Sequence, residues 1–177
     1  MESREVLNVP SLEKKTTISK YKRILVGIGE EDSSQKVFET ALSLAKVQGS
    51  QLTILTVIQE NLNRTLNFPI YSEVTLYGGI YTQEMVELEE KLIQESIEKL
   101  QIWLKRLTQL AIDQGVKATS EYIYGQPGEQ ICAKSKQWKA DLIVVGRRGH
   151  NRLSELLLGS VSNYVIHHAP CSILVVQ

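Results

Sequence analysis

The sequence predicts an α/β fold built on an open parallel sheet. Two observations carry that prediction. Short runs of Val, Ile and Leu recur along the chain with little polar alternation, as in strands buried on both faces. Between them lie longer segments whose apolar residues fall at helical spacing, which gives each helix one apolar face. Strand and helix alternate through five strands, the pattern of successive βαβ units with right-handed crossovers.

The first strand is RILVGI, Arg23–Ile28. In the helix that follows, Val37, Phe38, Ala41, Leu44 and Ala45 share one side; Asp32, Ser33 or Ser34 can cap its start, and Gly49 can end it. QLTILTVI, Gln51–Ile58, is the second strand. Asn61 to Thr82 then holds Pro69, the Gly78-Gly79 pair and Tyr71, Tyr77 and Tyr81. It is too long for an ordinary connection and reads either as a functional lid or as a mobile loop. Helical spacing returns from Glu84 through Leu88, Leu92, Ile97, Leu100, Leu104, Leu107 and Ala111, and Gly115 closes that helix. KATSEYIY, Lys117–Tyr124, is the third strand. Pro127 suits the first turn of the next helix, with Ile131, Ser135 and Trp138 on its inner side. DLIVVG is the fourth strand, GSVSNYVIHHAP a short helix stopped by Pro170, and CSILVVQ the fifth strand.

At 177 residues, with 42% hydrophobic and 23% charged residues, the chain suits one soluble domain. Residues 1–20 read as a flexible polar tail and 21–177 as the domain. The net charge of zero gives no overall footprint for nucleic acid or an acidic membrane. No apolar run approaches the roughly 20 residues of a membrane span, and the first residues lack the apolar stretch of a secretory signal. Cys132 and Cys171 have neither metal-ligand nor CxxC spacing, and read as buried thiols in a reducing cytosol. The expected location is therefore cytoplasmic.

The segment VVGRRGHNRLSELLLGSVSNYV (Val144–Val165) carries the chemistry. Gly146 ends the fourth strand, and open α/β sheets bind ligands outside strand carboxyl ends where strand order reverses. Ser160 starts the last helix, whose free N–H groups and dipole favour an anion. Glycines let a phosphate reach the backbone. Gly146, Gly149, Gly159 and Ser160 thus read as a phosphate cradle; the alternative is a turn, a bend and a plain N-cap. Arg147 and Arg148 suit phosphate contacts or simple solvation, as does His150. His167 and His168 suit a cap at their helix's carboxyl end.

Spaced as G-x2-G-x9-G-S, Gly146, Gly149, Gly159 and Ser160 resemble the ATP-binding signature of the universal stress proteins. ILVGI with SSQKVFETALSLA, LTILTVI, YGQPGEQI, ADLIVVGRRG and LLLGSVSNYVIHHAPCSILVV resemble that family's successive landmarks over Tyr21 to Gln177. The resemblance implies a five-stranded sheet ordered 3-2-1-4-5 with helices on both faces, Rossmann-like and similar to the adenine nucleotide alpha hydrolases. It implies that Gly146, Gly149, Gly159 and Ser160 hold phosphates and ribose, that Val161 supplies a backbone N–H, and that Val57 lies by the adenine. With Arg147, His150 and Ser162, these make up the nucleotide-binding set. The family's usual aspartate after the first strand is replaced here by Gly29, which belongs to the set by position.

The resemblance therefore implies an adenine-nucleotide-binding regulator of stress response. ATP is the first choice of ligand, with AMP, ADP and cyclic AMP as alternatives, and Mg2+ would accompany ATP. No catalytic residue is assigned, and ATP hydrolysis would be slow and incidental. An apolar edge strand at Ser172, Ile173, Leu174, Val175 and Val176 implies a homodimer. One alternative is a dimeric interaction protein that binds no nucleotide. Another is an ATP-pyrophosphatase-like enzyme, but IGEEDS (Ile28–Ser33) lacks that class's leading serine and second glycine. Walker A and G-x-G-x-x-G patterns are absent.

Overall fold

The computed structural model describes residues 21–29, 33–59, 83–147 and 159–177. The tail, the Asn61–Thr82 stretch, Asp32, Arg148, Gly149 and His150 lie outside the described residues. Five strands are described, β1 (Arg23–Gly27), β2 (Gln51–Ile58), β3 (Lys117–Tyr124), β4 (Leu142–Gly146) and β5 (Ser172–Val176). The described helices are α1 (Ser33–Gln48), α2 (Gln83–Asp113), α3 (Pro127–Trp138) and α4 (Ser160–His168). All strand pairs are parallel, in the order β3-β2-β1-β4-β5.

Period-two alternation divides each central strand between two cores. Ile24 and Val26 of β1, with Leu142 and Val144 of β4, face Val37, Phe38, Ala41 and Ala45 of α1 and Leu100, Leu104 and Ala111 of α2. Leu25, Ile143 and Val145 face the other way, onto Ile131 of α3 and Val165 of α4. Helices on both faces leave β1 and β4 no polar side, which is why their sequences read as unbroken apolar runs. Each such side chain, fully buried, contributes about 1.5–3 kcal/mol of transfer free energy.

Helix ends follow local chemistry. Gly49 (φ 64°) closes α1 and Gly115 (φ 82°) closes α2 in the left-handed region where a Cβ is penalised. Pro127 opens α3, as expected for a residue with no N–H to satisfy. His168 ends α4 with its Nδ1–H donating to the Tyr164 carbonyl at 2.8 Å and its ring stacked 4.0 Å from that tyrosine. Helix α3 and α4 pack closely: a Cβ on Gly128 would lie 2.8 Å from Cβ, Cγ and Cδ1 of Tyr164.

Where the strands begin, Asp141 locks β1 to β4. Its Oδ2 accepts the backbone N–H groups of Lys22 and Arg23, each at 2.8 Å, while its own N–H donates to the Arg23 carbonyl at 2.9 Å. The Ser50 hydroxyl donates to the Tyr21 carbonyl, and the Gln51 N–H donates to that of Lys22 at 2.8 Å. With one end of the sheet so fixed, the loops at the other end are free to carry function.

Candidate functional site

Strand order reverses between β1 and β4, so the crevice outside their carboxyl ends is the place to build a site. On the β1 side both polar groups of Ile28 are held by β2. Its N–H donates to the Leu55 carbonyl at 3.0 Å, and its carbonyl accepts the buried Thr56 hydroxyl at 3.0 Å. Gly29 follows, exposed, with its N–H donating to the Ser34 hydroxyl oxygen at 3.2 Å. Ser34, one of the residues expected to cap α1, is buried and instead accepts this loop amide. The parallel register of β1 and β2, continued past its last pair, sets Gly29 beside Val57. Val57 is half-buried and packs on the second core.

On the β4 side the Arg147 N–H donates to the Val176 carbonyl at 2.7 Å, which ties the strand's exit to β5. The Arg147 carbonyl then receives the Gly159 N–H at 2.7 Å and the Ser162 hydroxyl at 2.9 Å. The Ser162 oxygen also lies 3.0 Å from the Gly159 carbonyl. These bonds seat the start of α4 against the end of β4. The first bond of the helix runs from the Asn163 N–H to the Gly159 carbonyl at 2.9 Å. The N–H groups of Ser160, Val161 and Ser162 come before it and have no acceptor within the helix. Gly159 takes an extended conformation (φ −64°, ψ 159°) as N-cap and has no side chain to cover them.

The arrangement can hold an anion: oriented N–H groups, the positive end of a helix dipole and the exposed Ser160 hydroxyl lie at one place. The structure thus brings Gly146, Arg147, Gly159, Ser160, Val161 and Ser162 together, with Gly29 and Val57 on the strand pair beside them. Ser162 is 1% exposed, and its hydroxyl is engaged with the protein. Ser34, Thr56 and the Arg147 carbonyl are site-building groups that sequence reasoning missed. Thr56 left one signal, a hydroxyl among the apolar residues of β2 like that of Thr53, which must find a partner once buried.

Cys132 on α3 and Cys171 before β5 are half-buried rather than fully buried, and both pack on the second core. Burial pushes both thiols up; the nearby Asp141 carboxylate and Cys132 push Cys171 further, opposed by a backbone hydrogen bond at Ile143. Such thiols are poor nucleophiles. Among the described residues no group of three His, Cys, Asp or Glu could hold a metal ion.

The fold defines a doubly wound α/β domain with the start of α4 seated at its switch point. The chain belongs to the universal stress protein family, whose model matches residues 20–177. It is 34% identical over 162 residues to the universal stress protein Sll1388 of Synechocystis sp., covering 89% of this chain and 98% of that protein. The universal stress protein UspA from Lactobacillus plantarum has the same fold, with a TM-score of 0.69 at 24% identity over 90% of this chain and 99% of that one. A universal stress protein solved in complex with cAMP superposes with a TM-score of 0.58 at 22% identity, over 90% of this chain and 98% of that one. The Archaeoglobus fulgidus universal stress protein in complex with dAMP gives 0.53 at 15% identity, over 90% of this chain and 100% of that one. Among the described residues no helix is long and apolar enough to cross a membrane.

Proposed function

We propose that this protein binds an adenine nucleotide, ATP in the first instance, in the crevice between β1 and β4, and that it acts as a cytoplasmic stress regulator. The observation that carries the reading is the seating of α4: the Arg147 carbonyl receives the Gly159 N–H and the Ser162 hydroxyl, which sets the start of the helix against the end of β4. Gly159, Ser160 and Val161 then take the phosphates, with Gly146, Arg147, Gly149 and His150 completing the loop around them. Gly29 and Val57 line the base side. Mg2+ would arrive on the phosphate oxygens, with water filling most of its octahedral shell. The complexes of family members with cAMP and dAMP support an adenine nucleotide as the ligand class.

Residues 21–177 form the functional unit, and two copies pair through β5. That strand lies at the edge of the sheet, and Ile173 to Val176 are half-buried. An apolar edge of this kind is a pairing site. Ligand occupancy read out through a dimer is regulation rather than turnover.

The direct test is to purify the protein without added ligand, denature it and identify what is released. An adenine nucleotide near one equivalent supports the reading. A purine-free supernatant, from protein that also fails to take up added ATP, overturns it.

A further inference from the structure

The opposite end of the sheet, where the strands begin, carries a groove of about 540 Å³ that the nucleotide crevice does not use. Leu52, Ile112, Val116, Ala118 and Trp138 line it, and Lys117 is the charged residue among its walls. Ile112 is 48% exposed. Gln51 also lines the groove, and its N–H donates to the Lys22 carbonyl at 2.8 Å. The chain that enters β1 therefore passes the groove at hydrogen-bond distance.

Twenty residues precede Tyr21, and the family match begins only at residue 20, so this segment is additional to the family domain. Extended, it reaches roughly 66–72 Å. Neighbouring strands lie only about 4.8 Å apart, so the start of β3 is about 10 Å from that of β1. Within the segment, Val6, Leu7, Val9, Pro10 and Leu12 give a largely apolar stretch, with Arg4 and Glu5 before it and Glu13, Lys14 and Lys15 after it. The apolar stretch complements the apolar walls of the groove. Tethering raises the local concentration of such a segment to about millimolar, so weak contacts suffice.

We propose that residues 5–13 of this chain dock in the groove at the amino ends of β2 and β3, with Val9 and Leu12 against Trp138 and Ile112. The inference is independent of nucleotide binding, which concerns the other end of the sheet.

Trp138 reports on the groove directly once the other tryptophan is replaced by Trp103→Phe. In that background the full chain is compared with Val9→Asp/Leu12→Asp and with a deletion of residues 1–20, each checked for fold by circular dichroism. Docking predicts that both changes shift Trp138 emission to the red and raise its quenching by acrylamide. Equal emission and quenching in all these proteins would overturn the proposal. So would protection that survives the deletion and grows with protein concentration, which would give the groove to a second copy of the chain.

Discussion

The Ser162 hydroxyl lies 2.9 Å from the carbonyl oxygen of Arg147, a residue fifteen positions earlier in the chain. This buried hydroxyl, with the Gly159 N–H on the same carbonyl, sets where α4 begins relative to the end of β4. Ser160, two residues away, is exposed and makes no part of that seat. Serines that look alike in GSVSN thus have separable roles. Ser162→Ala is expected to cost about 1 kcal/mol of stability, the net worth of one hydrogen bond, and to weaken ATP binding through displacement of the helix. Ser160→Ala is expected to weaken binding while leaving the urea midpoint unchanged. Denaturation and ATP titration of both variants separate the roles; equal stability loss in the two would refute the division.

The closeness of α3 and α4 gives a second lever on the same helix. A Cβ at Gly128 would meet Cβ and ring atoms of Tyr164 at 2.8 Å, and the Tyr164 Cβ moves only if α4 moves. Overpacking of this kind costs roughly 1–3 kcal/mol. Gly128→Ala should lower both stability and ATP affinity, read by urea denaturation and calorimetric titration; an unchanged urea midpoint would contradict the close packing of α3 and α4. The contrasting site is Gly27, where an added Cβ would meet chiefly the Ile131 Cδ1 at 2.7 Å, the far end of a side chain that can turn away.

The strand pattern made the α/β fold legible because β1 and β4 are buried on both faces and carry no polar side. Gly49, Gly115 and Pro127 marked helix ends through their own backbone limits, and all stand where expected. The site was legible as glycines and serines in a row, but not as a mechanism. Asp141 and Lys22 lie 119 positions apart, and nothing local to either announces the bond between them. Ser34 could cap a helix or accept a loop amide with the same atom, so only the folded loop decides between them. Gly128 did leave a signal, since glycine inside a helix is costly and implies a close neighbour.

The resemblance to the family's sequence landmarks implies an aspartate at the position of Gly29. The position accepts one: a Cβ there meets nothing within 4 Å among the described residues, and φ lies outside the left-handed region. Base recognition then rests on contacts near Val57, and the wild type should distinguish ATP poorly from GTP. A charge-assisted hydrogen bond is worth about 1.5–3 kcal/mol, so Gly29→Asp should tighten ATP about tenfold or more and widen its preference over GTP. Competition binding to both proteins measures this. Strong adenine selectivity in the wild type, unmoved by the substitution, would show that another group reads the base.

The β5 edge predicts a dimer that a charge on that strand would weaken. Val175→Lys should shift sedimentation from dimer toward monomer at micromolar concentration, with circular dichroism confirming that the variant folds. A wild type that sediments as a monomer at that concentration would contradict pairing through β5.

Calorimetric titration of nucleotide-free protein with ATP, wild type against Gly159→Val, tests the central claim most directly. Gly159 has extended backbone angles that valine adopts readily, so the substitution adds bulk at the N-cap without left-handed strain. The account predicts saturable one-site binding in the wild type and its loss in a variant that still folds. Absence of binding in the wild type, or unchanged affinity in Gly159→Val, would contradict it.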